Sequence, residues 1–248
     1  MATDFTIRTT RLPVLRKKFL VLCRGFNLIE LSIVLLVAGL ILTLFSGFAV
    51  NTITSTNNEL TGQRFSALSN KLLVFAQSNF RLPCPDTNNN GIENCAVNTV
   101  LRGSIPYKTL NLEQPFIGRR GGEVLYALSK NLGVLHNTDT PSWHMDIIER
   151  RDMCDFLATL VQRAPTTDDL AVVDRGVNNC SAVSLTNPAF VLVDSGNNDL
   201  DGNNGLFDGL NGVTSNNCFN ATLTPTSSTY DDKVQALGMP QLIGSLCL

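Results

Sequence analysis

The chain has 248 residues, of which 44% are hydrophobic and 16% charged, and a formal net charge of −2. That length suits one domain of ordinary size together with a single membrane segment. The near-neutral total hides an asymmetry: residues 1–25 hold six Lys/Arg against one acid, Asp4, whereas the remainder holds 13 Lys/Arg against 20 Asp/Glu. Nothing beyond residue 25 is basic enough to suggest a nucleic-acid partner.

In chain order, the basic stretch (Arg8, Arg11, Arg16, Lys17, Lys18, Arg24) runs directly into FNLIELSIVLLVAGLILTLFSGFAV, residues 26–50, where Glu30 is the only charged side chain. As a helix rising about 1.5 Å per residue, this run exceeds a hydrocarbon core of about 30 Å. Basic residues ahead of it predict a cytoplasmic leader and a chain that crosses the bilayer afterwards. A carboxylate within such a run costs about 2.5–3.5 kcal/mol on insertion scales, which marks Glu30 as a functional residue. A cleavable secretory signal would carry a shorter apolar core followed by a small-residue cut site. Here the order is inverted, with Gly25 ahead of the apolar run.

The stretch RGFNLIELSIVLLVAG resembles the type IV prepilin signal. The resemblance implies cleavage between Gly25 and Phe26 by a prepilin peptidase/methyltransferase, methylation of the new amine on Phe26, and assembly through the helix that follows. It also gives Glu30 a role: in a filament its carboxylate would face the cationic amine of a neighbouring subunit's Phe26. The partners implied are other pilins or pseudopilins and an inner-membrane assembly platform. The location implied is a single pass of the inner membrane, with the N-terminus cytoplasmic and the head periplasmic, before entry into a pilus or pseudopilus. An uncleaved signal anchor is the plainer alternative.

Beyond Val50 the pattern turns amphipathic. Ile53, Leu60, Arg64/Phe65, Leu68, Leu72, Phe75/Ala76 and Phe80 recur at spacings of three to five, and polar residues fill the other side. Such a stripe packs on a sheet. The two prolines of RLPCP, residues 81–85, end the helix. The organisation expected is a leader over 1–25, a transmembrane and assembly helix over 26–50, its amphipathic continuation over 51–80 and a globular head over 81–248. This is the pilin-like α+β class: a long N-terminal helix, membrane-spanning in its first half, packed on an antiparallel sheet within a loop-rich, disulfide-bonded head. The segments RLPCPDTNNNGIENC, GSIPYKTLNL, GGEVLYAL, VDSGNN and YDDKV also resemble, in that order, minor pilin-like proteins. GRRGGEVLYAL lacks the Asp-x-Trp-Gly element usual in that group.

Within the head, EVLYALS (123–129) and AFVLVDS (189–195) are the clearest strands, with AVVD and SAVSL weaker. Residues 142–162 read as a helix capped by Ser142, with Met145, Ile148, Met153, Phe156, Leu157 and Leu160 on one side. Six cysteines follow the apolar run, an even number that reads as a disulfide framework with 15 connectivities. Pairing in sequence order (Cys84–Cys95, Cys154–Cys180, Cys218–Cys247) closes the shortest loops. No Cys/His cluster has zinc-ligand spacing.

Two loops have the alternating oxygen donors and turn glycine that calcium needs. In NNDLDGNNGLFD, Asn197, Asp199, Asp201 and Gly202 take the first, third, fifth and sixth places and Asp208 the twelfth. The weaker candidate, DTNNNGIE, offers Asp86, Asn88, Asn90 and Glu93, with Val97 where an EF-hand requires an acid. Either loop could equally be an Asn/Asp/Gly turn without metal. Asp231 and Asp232 could lend a ligand to the first loop, but such a doublet reads more naturally as a solvated turn.

Catalysis has little support, because neither His136 nor His144 sits in HExxH, and GxSxG, Walker A and GxGxxG are all absent. The expected function is a non-enzymatic subunit, a minor pilin or pseudopilin, of a type IV pilus or type II secretion pseudopilus. The alternative is a membrane-anchored periplasmic calcium- or ligand-binding domain that does not polymerise.

Overall fold

A 52-residue helix, α1 (Leu28–Asn79), is the first element. The computed structural model describes residues 27–95, 102–129, 132, 149–164, 169–173, 179–180, 183–214, 216–222 and 224–247; the side chains of 44–59 and 183–186 lie outside that description. Contacts divide the chain into two units, one ending at Thr54 and the other beginning at Ser55.

In the first unit, the described apolar side chains of α1, from Leu28 to Leu42, are exposed on every side: Leu28 is 83% exposed, Leu36 and Leu42 each 70%. Among the described residues no helix is long and apolar enough to cross a membrane. The membrane-spanning first half expected over 26–50 is corrected accordingly. So is the single-pass inner-membrane location, with its cytoplasmic N-terminus and periplasmic head. The leader, with Gly25 and Phe26, lies outside the described residues.

The second unit is α+β. Among the described residues seven strands follow α1: β1 (Arg102–Ser104), β2 (Leu125–Leu128), β3 (Ala171–Val173), β4 (Val183–Thr186), β5 (Phe190–Asp194), β6 (Cys218–Phe219) and β7 (Lys233–Leu237). The described residues also hold two further α-helices, α2 (Arg150–Gln162) and α3 (Met239–Leu246). One sheet has the order β1-β2-β5-β7 and is antiparallel throughout, with Tyr126 opposite Leu192 and Val193 opposite Val234. A smaller sheet, β4-β3-β6, joins β3 antiparallel to β4 and parallel to β6.

The period of two along the central strands places each residue. Tyr126, Leu128, Phe190 and Leu192 face the helices and share a core with Phe65, Leu68, Leu72 and Ala76 of α1. Ala127, Val191, Val193 and Val234 face the smaller sheet and pack with Leu170, Val172 and Phe219. Covered on both sides, β5 reads FVLVD, an apolar run rather than an alternation. The stripe read from the sequence holds from Phe65 to Ala76, but Leu60 is 53% exposed. Phe80, at φ 53°, closes α1 in the left-handed conformation and donates its N–H to the Ala76 carbonyl.

Helix α2 starts at Arg150, later than the pattern predicts; Ser142, Met145 and Ile148 lie outside the described residues. Its Met153, Leu157 and Leu160 are buried and share a core with Met239, Leu242 and Leu246 of α3.

Of the disulfides, Cys84–Cys95 forms as expected, with Cα atoms 5.3 Å apart. The other two cross the expected order: Cys154 joins Cys247 and Cys180 joins Cys218, at 5.7 and 6.0 Å. Cys154–Cys180 and Cys218–Cys247 are corrected because tertiary packing, not loop length, sets the partners. Helix α3 returns the C-terminal segment to α2, and the parallel β3–β6 pairing carries Cys218 alongside the strand that precedes Cys180.

Leu72 is fully buried against the sheet, so Leu72→Ala is expected to cost about 2–5 kcal/mol. Leu60→Ala, one face away, is expected to stay within about 0.5 kcal/mol. Urea unfolding midpoints of the two variants measure the contrast.

Candidate functional site

Two features carry chemistry beyond packing: the acid in the first turn of α1, and the carboxylates gathered at one end of the larger sheet. Glu30 is exposed in the first turn of α1, and its N–H donates to the Asn27 carbonyl at 2.9 Å. Leu28, Ile29, Leu31 and Ile33 surround it, all at least 49% exposed. The structure therefore sets a lone carboxylate among apolar side chains that nothing among the described residues of this unit covers.

The second feature follows from strand register. β5 and β7 pair with Asp194 opposite Lys233, so the chain leaving β5 at Ser195 and the chain entering β7 at Asp232 lie at the same end of the sheet. Asp231 Oδ2 accepts the N–H groups of Asn197 and Asn198 at 2.9 and 3.2 Å. Asp232 Oδ1 accepts the Gly196 N–H at 3.1 Å, and its Oδ2 accepts the Asp208 N–H at 2.8 Å and the Asn211 side chain at 3.0 Å. Asp208 returns the exchange: Oδ1 takes the Leu200 N–H at 3.2 Å and Oδ2 the Asp231 N–H at 2.9 Å. Glycine is required at 196, because a Cβ there would lie 1.5 Å from Asp231 Oδ1.

Of the expected calcium ligands, Asp199, Asp201 and Asp208 are brought together, with one carboxylate oxygen from each within 4.8 Å of the others. Gly202 sits at φ 73°, the reversal its place in the loop demands. Asn197 contributes its N–H to Asp231. The same Asp208 forms a second group, equally close, with Asp231 and Asp232. Both residues of that doublet are buried, so the solvated-turn reading is corrected. Sequence reasoning missed them because consecutive acids ahead of a strand look like surface. The available signal was their position immediately before KVQAL, which pairs with the strand feeding the acidic loop.

The two groups differ in charge balance. Asp199 has the Arg120 guanidinium 3.9 Å away, and its Oδ1 takes the Gly202 N–H. At Asp201 the modest effect of burial is outweighed by bonds from Asn203 and Gly209, which hold its carboxyl below the ordinary value. Burial pushes the Asp208 carboxyl up. It pushes Asp232 up to about 7, against the opposing bonds from Asn211, Gly196 and Asp208 and with added repulsion from the Asp208 charge.

The weaker loop is a different object. Asp86 is buried, its Oδ1 takes the N–H groups of Asn88 and Asn90 at 3.1 and 3.4 Å, and its Oδ2 takes the Gly91 N–H. Asn88 and Asn90 cap backbone N–H groups two residues on, at 3.3 and 2.8 Å. This is a turn closed by its own side chains. Glu93 turns away and grips Arg81 through two bonds of 2.6 Å, taking the Cys84 N–H at 3.0 Å as well. The calcium set Asp86, Asn88, Asn90 and Glu93 is thus not assembled. The neighbouring Cys84 and Cys95 sulfurs are joined in a disulfide, so they offer no thiolate.

No protein-family model matches this chain, and no curated protein and no solved structure does so either.

The Glu93 pair makes a pH signature. Burial raises its carboxyl, but Arg81 and the Cys84 N–H outweigh this and hold it below the ordinary 4.5. A depressed carboxyl contributes stability fully above about pH 4.5, and that stability is lost as pH falls through the folded value. Glu93→Gln is therefore expected to cost about 1–3 kcal/mol near pH 7. The difference from wild type should shrink toward zero in acid, as read from urea midpoints between pH 3 and 7.

Proposed function

We propose that this chain is a non-catalytic subunit of a helical filament of the type IV pilus or type II secretion pseudopilus kind, assembled through the N-terminal portion of α1. The observation that carries the reading is a helix apolar on every side, exposed from Leu28 to Leu42 and interrupted by one acid in its first turn. A helix hydrophobic all round must be covered by something. In this reading the cover is the same portion of α1 in neighbouring subunits. The prepilin-like sequence RGFNLIE adds the second support: processing after Gly25 would free an amine on Phe26. Glu30 of one subunit and that amine of the next would then neutralise each other among apolar side chains, where neither charge is stable alone. The partners in this reading are other pilin-type subunits and the prepilin peptidase/methyltransferase.

The head fits a structural role. Three disulfides and a two-sided core make it a rigid body for display on a filament. The distinct alternative, a ligand-binding domain that never polymerises, draws on the buried acids and predicts that Glu30 is dispensable.

The test is Glu30→Leu, which leaves the helix apolar and removes only the charge. Co-purification with other pilin-type subunits is expected to fall at least tenfold while the head keeps its unfolding midpoint. Unchanged co-purification would contradict assembly through this residue. Gly25→Ala is expected to abolish the mobility shift produced by peptidase co-expression; a persistent wild-type shift would contradict cleavage at that bond.

A further inference from the structure

The chain holds three Asn-Gly pairs: Asn90–Gly91, Asn204–Gly205 and Asn211–Gly212. An asparagine ahead of glycine can modify itself, because no Cβ on the following residue crowds the approach of its backbone nitrogen. The glycine nitrogen attacks the asparagine Cγ and closes a five-membered imide. The Cγ–Nδ2 bond breaks, and the amide leaves as ammonia with the proton given up by the glycine N–H. Water then opens the imide at one carbonyl or the other, leaving aspartate or isoaspartate. The step needs an asparagine side chain free to turn and a glycine N–H that is not already engaged.

Two of the pairs are denied these conditions. The Gly91 N–H is bound to the Asp86 carboxylate, and Asn90 Oδ1 accepts the Ile92 N–H at 2.8 Å. Gly91 is also buried, with the Tyr107 ring packed against the position a Cβ would take. Asn211 is 1% exposed, and its Nδ2 donates to the Tyr230 hydroxyl at 3.1 Å and to Asp232 Oδ2 at 3.0 Å. Its Oδ1 accepts the Asn220 N–H at 3.1 Å. Turning that amide toward Gly212 would break three hydrogen bonds in a buried place, which is costly.

Asn204–Gly205 meets both conditions. Asn204 is exposed, and among the described residues neither its side chain nor the Gly205 N–H has a hydrogen-bond partner. Its φ is 54°, a left-handed conformation that is strained for a residue with a Cβ, so turning out of it relieves strain.

We propose that Asn204 is a site of spontaneous modification, converting to aspartate and isoaspartate through the Gly205 nitrogen while Asn90 and Asn211 keep their amides. The converted chain carries one more negative charge, beside a peptide whose next carbonyl, that of Gly205, accepts from Arg120 at 3.0 Å. The inference is independent of filament assembly.

The experiment incubates the full-length chain, in mild detergent at mildly alkaline pH, and follows each Asn-Gly peptide by mass spectrometry after digestion in acid. Labelling by an isoaspartate methyltransferase identifies the isomer. A second sample, unfolded in urea with its disulfides reduced, gives the rates without structure. In the folded chain Asn204 is expected to convert at least tenfold faster than Asn90 or Asn211, whereas in urea the three rates should lie within threefold. Gly205→Ala is expected to slow conversion at Asn204 at least tenfold and to fold normally, since its Cβ would meet nothing nearer than Phe207 O at 3.5 Å. If that variant fails to fold, the wild-type ranking decides alone. An Asn204 that keeps its amide in the folded chain while the unfolded sample converts would overturn the proposal. So would conversion of Asn90 or Asn211 as fast as Asn204, or an unchanged rate in folded Gly205→Ala.

Discussion

Phe190, Val191, Leu192 and Val193 are all completely buried, so β5 has to be covered on both faces, and the head is built around that requirement. Hydrogen bonds occupy both of its edges, with β2 on one side and β7 on the other. Its odd and even positions then assign the two layers. Phe190 and Leu192 call for the apolar stripe of α1 and the α2–α3 pair, while Val191 and Val193 call for the smaller sheet. Fully burying side chains of this size contributes about 1.5–3 kcal/mol each. The two-sided strand therefore contributes to both cores of the head, and the disulfides Cys154–Cys247 and Cys180–Cys218 tie together elements packed around it.

The same register produces the acidic cluster. Because Asp194 lies opposite Lys233, the loop that follows β5 and the turn that precedes β7 are forced together. That places Asp231 and Asp232 over Gly196 and Asn197, and the return of the loop at Asp208 completes the group. The concentration of charge is thus a consequence of strand pairing. It imposes an electrostatic cost at the end of the sheet that the described protein groups meet with dipoles and with the Lys233 charge beside the doublet.

Much of this was legible in the chain, for reasons that differ from element to element. The stripe Phe65, Leu68, Leu72 and Ala76 announced itself by helical period, and LYAL and FVLVD by short apolar runs between turn residues. Cys84–Cys95 was legible because its loop is short. The crossed disulfides were not, since their partners are decided by how α3 returns to α2 and by a parallel strand pair, neither of which has a local signal. Asp199, Asp201 and Asp208 were readable as alternating oxygen donors, whereas Asp231 and Asp232 became part of the site only through register. Glu93 matched the pattern of a calcium ligand, yet its carboxylate serves Arg81, because a bidentate guanidinium lies within reach. The extent of the apolar run over 26–50 suggested a membrane span, and the described helix does not supply one.

What remains distinctive is the contrast between a head that satisfies its apolar surface internally and an N-terminal helix that does not. Exposed apolar side chains on every side of α1 between Leu28 and Leu42 have no partner within the described chain, and the filament proposed above would provide one. The most direct measurement is a photo-crosslinking side chain at Leu36 in the assembled protein, with the products mapped by mass spectrometry. The account predicts crosslinks to residues 28–43 of another pilin-type subunit. Crosslinks confined to the same chain, or to the head of a neighbour, would contradict it.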